Sequence, residues 1–247
     1  MKKIISLFSI ILLCAFAPKS NFLAEQKKYA RVRTAISEKN NLLIENLKKN
    51  NLKVNELQIM LVTFKNEDII ELFAKNKVDK TYKKIATYDV CARSGTLGPK
   101  RKSGDGQVPE GFYYIDRFNP VSSFYLSLGI NYPNQSDKIK STTDKLGGDI
   151  FIHGSCVTIG CIPMTDDKIK EIYLYAVHAK NNGQNKIPVY IFPFKMNDKN
   201  IALHNAKYGS EPGLESFWKN LKVGYDKLEK EKKELTINID KNGDYQF

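Results

Sequence analysis

The sequence predicts a mainly β domain with a few helices, an α+β fold, and three observations carry that reading. Short runs rich in β-branched and aromatic residues recur through the middle of the chain, bounded by turn-forming residues. Glycine, proline and polar residues gather in the loops between them. Apolar residues at helical spacing mark stretches near the N-terminus, after residue 165 and towards the C-terminus.

Glu25 to about Asn50 is polar, lysine-rich and helical in character, with Ile36, Leu43 and Leu47 as a partial apolar stripe. It either packs on the main domain or spaces it from a membrane. Leu57 to Phe64 and Ile69 to Phe73 read as strands joined by a hairpin turn at Lys65-Asn66-Glu67-Asp68. Ile85 to Cys91 is a third strand. Arg93 to Gly106 is loop, with the basic run Lys100-Arg101-Lys102. Gly111 to Asp116 and Phe124 to Leu128 resume as strands, and Asn131 to Gly148 is a polar loop. Asp149 to His153 is a short strand that delivers a histidine. Thr165 or Asp166 caps a helix to about Lys180, its apolar side marked by Ile169, Ile172, Tyr173 and Ala176. Lys186 to Phe192 is a strand, Leu214 to about Lys233 a helix carrying Trp218, and Leu235 to Phe247 a hairpin around Asn242-Gly243.

The 247 residues are 42% hydrophobic, enough for one large domain or for one domain with extensions. A formal net charge of +12 suits an anionic partner: nucleic acid, a membrane surface or an acidic polymer. The lysines are spread along the chain, which fits a solvated lysine-rich surface equally well.

The N-terminus has the pattern of a secretory signal. Lys2 and Lys3 precede an apolar stretch, Ile4 to Phe16, too short for a comfortable membrane span. Ala15-Phe16-Ala17 fits a cleavage site, although Pro18 follows it; a cut near Ala24 or an uncleaved anchor are the alternatives. Leu13 before Cys14 is bulky where a lipoprotein signal carries a small residue. Export argues against nucleic acid and leaves a cell-envelope polymer as the natural partner. If Cys14 leaves with the signal, Cys91, Cys156 and Cys161 remain, an odd number that implies at least one unpaired thiol or an intermolecular bond.

The chemistry concentrates in Ile152-His153-Gly154-Ser155-Cys156-Val157-Thr158-Ile159-Gly160-Cys161. A cysteine needs a base to become the nucleophilic thiolate. Gly160 lets the backbone turn and approach a substrate with no Cβ in the way. Backbone N–H groups near the sulfur would form an oxyanion site. Only three histidines occur in the chain, so one placed here is a strong candidate base. A zinc reading of His153, Cys156 and Cys161 is weaker, because their spacing matches no common zinc pattern.

These residues resemble the L,D-transpeptidase catalytic domain (YkuD-like) family. Its mark is a His-Gly followed by Ser/Thr-x-Gly-Cys, here His153-Gly154 and Thr158-Ile159-Gly160-Cys161. The branch typified by YafK and DpaA is also similar at Arg93-Ser94-Gly95-Thr96-Leu97-Gly98-Pro99-Lys100 and at Gly104 to Tyr113. Tyr132-Pro133-Asn134, Ile191 to Met196, Phe217-Trp218 and Gly224-Tyr225-Asp226 continue the likeness, which runs from about Leu57 to Lys230.

The resemblance implies a β-rich catalytic domain over residues 55–195. Residues 1–24 precede it as signal or anchor and 25–54 as a helical linker; 196–247 form a C-terminal helical extension packed on it. It implies an exported enzyme of the periplasm or cell envelope, acting on peptidoglycan stem peptides by acyl transfer through a Cys161 thioester. The alternatives are a hydrolytic amidase that releases an envelope protein from diaminopimelate, or a non-catalytic wall-binding protein. Cys161 maps to the nucleophile, His153 to the base, the Gly154 carbonyl to the group orienting the imidazole, and the Gly160 and Cys161 N–H groups to the oxyanion hole. A His153 partner predicts a Cys161 pKa below the roughly 8.5 of a free thiol. Arg93, Thr158 and Tyr113 are the substrate-binding candidates, and Lys100, Arg101 and Lys102 could hold stem carboxylates. No cofactor, metal or nucleic acid is implied, and the membrane is met only through an uncleaved N-terminal segment. His178 and His204 read as surface residues.

In two places the sequence departs from the widespread family pattern. Ile159 stands where many members carry a second histidine, and Pro163 where they carry arginine. Both positions bear on the acceptor rather than on the thiol. In the family the segments around Cys91 and Cys156 border the active site, which implies a Cys91–Cys156 disulfide there; Cys156–Cys161 is the competing pair.

Overall fold

The central strand shows how this chain folds. β1 (Leu57–Phe64) reads LQIMLVTF, apolar almost throughout rather than alternating. Such a run suits a strand covered on both faces. The computed structural model, which describes residues 21–247, places it so. Ile59 and Leu61 enter one core, while Met60, Val62 and Phe64 enter another on the opposite face.

β1 turns at residues 65–68 into β2 (Ile69–Asn76), with Phe64 opposite Ile69, and β3 (Lys83–Asp89) follows antiparallel. β4 (Gly111–Asn119), β5 (Ser127–Ile130), β6 (Phe151–His153), β7 (Ile162–Pro163) and β8 (Ile187–Phe192) complete an eight-stranded sheet ordered β3-β2-β1-β8-β4-β5-β6-β7. The β1/β8 and β6/β7 pairs are parallel; the others are antiparallel. The two ends of the sheet meet. Cys91, just past β3, donates its N–H to Pro163 O in β7 at 3.0 Å, so the sheet is curled into a near-closed wall.

Three helices cover the first face. α1 (Phe22–Lys27) and α2 (Ala30–Lys49) pack on α4 (Asp166–Asn181), which lies against the sheet. Val32, Ala35, Leu43 and Leu47 form the buried stripe of α2, so this segment packs on the domain rather than spacing it. Thr165 caps α4 by accepting Lys168 N–H, as its sequence predicts. α1 begins at Phe22, inside the segment read as leader; Leu23 N–H donates to Asn181 Oδ1 and Tyr173 Oη–H to Gln26. The signal pattern itself lies in residues outside those described. No helix among the described residues is long and apolar enough to cross a membrane.

The second face is covered by α5 (Asp198–Tyr208), α6 (Leu214–Glu231) and the hairpin β9 (Asn238–Ile239) and β10 (Tyr245–Gln246). Phe217, Trp218, Leu221 and Leu228 give α6 its buried side. Glu110, fully buried, ties this layer to the sheet: it accepts from Lys65 Nζ (2.9 Å), Gly98 N–H (2.7 Å) and Trp218 Nε1 (2.9 Å). The fold is α+β as the sequence predicts, but among the described residues helix covers 35% against 22% strand, so the helical layers outweigh the sheet. Two helices account for part of the difference. α3 (Gln135–Lys140) lies in the stretch read as polar loop, closed by an Asn134–Asp137 capping box. α5 is the other, capped by Asn197 and carrying His204 as its single buried residue.

Candidate active site

Strand β6 carries His153, and β7 starts one residue after Cys161. The pair is parallel, with Ile152 opposite Ile162 and His153 opposite Pro163. Extending that register by one residue sets Cys161 beside Phe151, on the same strand face as His153 two residues on. Parallel neighbours ordinarily need a crossover of a dozen or more residues; here residues 154–161 suffice, and the loop is pinned at many points. Gly154 N–H reaches Phe124 O (3.0 Å) and Leu126 O (3.2 Å), and Ser155 N–H reaches Asp166 Oδ1 (2.9 Å). A Cβ on Gly154 would stand 2.5 Å from that Asp166 oxygen. Ser155 and Cys156 both take positive φ (69° and 36°), conformations that non-glycine residues adopt only where the surroundings hold them.

Cys156 is bonded to Cys91, with Cα atoms 5.4 Å apart, and Cys161 is free. The disulfide therefore stitches the loop 154–161 to the seam of the sheet, and the competing Cys156–Cys161 pair does not form.

His153 is 1% exposed, its ring against Phe124 at 4.6 Å between centroids. Its Nδ1 lies 2.6 Å from Gly154 O. A carbonyl only accepts, so Nδ1 carries the proton and Nε2 keeps its lone pair. Burial lowers the His153 pKa, the Gly154 bond opposing it. Burial also pushes the Cys161 thiol up, against a Phe151 N–H that favours the thiolate. The resting pair is thus neutral thiol and neutral imidazole. This corrects the expectation of a thiol below 8.5: desolvation outweighs the donors near the sulfur. The thiol itself points at Asp149 O, 3.6 Å away.

Gly160 takes φ +138°, and a Cβ there would meet Gln107 O at 3.2 Å, so the position requires glycine. Its N–H is already engaged by Thr158 Oγ1 (3.2 Å), and Thr158 donates to Cys161 O (2.8 Å). Thr158 is therefore the brace of the turn, and Gly160 does not offer a free oxyanion donor. Arg93 pairs with Asp68 and donates to Asn66 O (2.9 Å), and it lines a cavity of about 270 Å³ that contains Cys161. Tyr113 does not join it. Its hydroxyl is buried against Asp137 Oδ2 (3.0 Å) and Glu110 O (3.2 Å), because its strand turns that face into the core. Lys100 and Arg101 are likewise committed, to Asp105 (2.5 Å) and Asp137 (3.0 Å), leaving Lys102 alone of the run exposed. His178 is half-buried on α4, and His204 is buried, stacked on Phe194 at 4.1 Å. Ile159 is 90% exposed beside the thiol, while Pro163 is buried in the seam.

Sequence reasoning missed Thr63, Lys207 and Tyr208, all of which line the same cavity. Thr63 carried one legible signal, a lone hydroxyl in an apolar strand. Lys207 and Tyr208 sit on α5, a helix not foreseen.

A tautomer-fixed histidine, a free thiol one residue before the adjoining strand and a cavity at the sulfur come together here. Residues 58–191 match the model of the L,D-transpeptidase catalytic domain, YkuD. The chain belongs to this family. It is 36% identical over 189 residues to the Escherichia coli K12 protein named "Putative L,D-transpeptidase YafK", covering 76% of this chain and 72% of that one. Among solved structures, the helical cell shape determining protein Pgp2 from Campylobacter jejuni aligns at 18% identity and a TM-score of 0.44, over 75% of this chain and 74% of that one. Bd1075 of Bdellovibrio bacteriovorus aligns at 21% identity and 0.40, over 69% of this chain and 62% of that one.

Proposed function

We propose that this protein is an exported enzyme that modifies peptidoglycan by acyl transfer on stem peptides, with Cys161 as nucleophile and His153 as general base. The observation that carries the reading is the His153 Nδ1···Gly154 O bond, which leaves Nε2 as an acceptor next to the strand that presents a free thiol. The thiol proton passes to Nε2 as Sγ attacks the carbonyl carbon of the scissile amide. The tetrahedral oxyanion collapses to a thioester, and the leaving amine takes the proton back from the imidazolium. An amine or water then attacks the thioester and regenerates the thiol. The Cys161 N–H, which has no protein acceptor among the described residues, is the backbone donor available to the oxyanion.

Incubating the protein with tetrapeptide muropeptides and with protein-linked sacculi, and weighing the products, tests this. A cross-linked or exchanged stem identifies an amine acceptor, and a trimmed stem or released protein identifies water. No product, together with a Cys161 that never becomes acylated, would leave only a wall-binding role.

A further inference from the structure

Arg31 spends its guanidinium on the backbone of a loop that touches the proposed base. It lies on α2, outside the residues 58–191 that match the family model. Its Nη1 has two N–H bonds to give, and it donates to Ser122 O and, at 2.6 Å, to Tyr125 O. The guanidinium also lies over the Tyr125 ring, 5.4 Å from its centroid, and Lys170 Nζ of α4 approaches the same ring at 5.6 Å. Tyr125 takes φ 68°, a conformation that a bulky residue keeps only where its surroundings hold it. Packing contributes little to that hold. Val121 is 69% exposed and Phe124 42%, so the loop buries little apolar surface of its own. Ser122 Oγ turns it internally by accepting Phe124 N–H (3.0 Å), and the charge-assisted bonds from Arg31 tie it to the helical layer.

What the loop presents to the site decides what this clamp does. Phe124 lies between the two clamped carbonyls in sequence. Its ring packs on His153 at 4.6 Å between centroids, and its carbonyl accepts the Gly154 N–H at 3.0 Å. Gly154 in turn gives its own carbonyl to His153 Nδ1 at 2.6 Å. A shift of the loop therefore moves both groups that set the imidazole: the ring it packs on and the peptide that fixes its tautomer.

Building on the proposed reaction, we propose that Arg31 is a positioning residue for the general base: from the N-terminal helical layer it clamps residues 122–125, so that Phe124 and Gly154 hold the His153 imidazole in its reactive orientation. The N-terminal helices are thereby part of the working unit rather than a linker to it.

NMR of the full chain without substrate, followed by kinetics with a tetrapeptide muropeptide, tests this. In Arg31→Met the Gly154 amide should exchange with solvent about tenfold faster or more, and the His153 ring signals should shift. The same variant should lower kcat about tenfold or more with KM unchanged, because Arg31 orients the base and touches no substrate. Asn46→Ala is the control for general loosening: it removes another α2 anchor, the bond to Tyr175 Oη at 2.9 Å, far along the helix from the loop. It should lower the melting temperature while leaving the Gly154 and His153 signals and kcat alone. Phe124→Ala should reproduce the His153 shift, and the double variant with Arg31→Met should lose less than the product of the two single losses, since both act through one loop. Unaltered Gly154 and His153 signals in Arg31→Met, the same changes in Asn46→Ala, or fully multiplicative losses would overturn the proposal. The reaction is judged separately: the expected NMR changes with no turnover by the wild type sink the reaction alone, and turnover with unaltered signals in Arg31→Met sinks the clamp alone.

Discussion

His153 and Cys161 start as neutral partners, and that state governs what can be measured on them. In the proposed reaction, attack by Sγ requires a neutral imidazole, and burial disfavours the imidazolium. Protonation removes the base, so kcat/KM should be flat above neutrality and fall on the acid side, its limb below the ordinary histidine value of about 6.5. A limb above pH 7 would contradict the burial argument. Cys161→Ala should abolish turnover. Cys156→Ala should retain a substantial fraction, because Cys156 is bonded to Cys91 and outside the reacting atoms; equal loss in both variants would overturn the assignment. At this scale the sequence was most legible where backbone geometry constrains residue type: the glycine at 160, the His-Gly pair, the Gly-Cys pair. It was least legible where a side chain's role depends on which way a strand faces. Tyr113 looked like a cleft residue and is a core one, and Thr63 looked like part of a core strand and is also among the residues lining the cavity at Cys161.

Among the elements, the loop 154–161 and the Glu110 node do the positioning. Gly154→Ala would drive a methyl into Asp166, the acceptor that holds Ser155 N–H, and should lower both melting temperature and activity. Glu110→Ala leaves Lys65, with an 8% exposed side chain, without its carboxylate and Trp218 without its acceptor. Removing one partner of a buried pair costs about 3–5 kcal/mol, so chemical denaturation should show a loss of that order; a change under about 1 kcal/mol would mean the node is not structural. The role of Glu110 was not legible in the sequence, because its three partners lie far apart along the chain. β1, β2, α4, β8 and α6 were legible from periodicity and caps. α3 was hidden by brevity, and α5 by a polar composition that buries one residue.

For the whole molecule, the curled sheet closes where Cys91 meets both Pro163 and Cys156. The disulfide spans 65 residues, worth about 4 kcal/mol in the chain-entropy model. Reduction should therefore lower the melting temperature by roughly 10 °C for a chain of this size, with the free Cys161 unaffected in number. No shift would mean the seam is held by packing alone. The closing of the seam followed from no periodicity or composition; the resemblance alone suggested that Cys91 and Cys156 lie near one another. Net charge +12 supports an anionic polymer as partner, though it cannot choose the polymer. The central claim is that Cys161 carries the acyl group, and intact-protein mass spectrometry after rapid quenching with a tetrapeptide muropeptide tests it most directly. The account predicts an added acyl mass that maps to the peptide containing Cys161 and is missing from Cys161→Ala; turnover that persists in Cys161→Ala, with no adduct on the wild type, would contradict it.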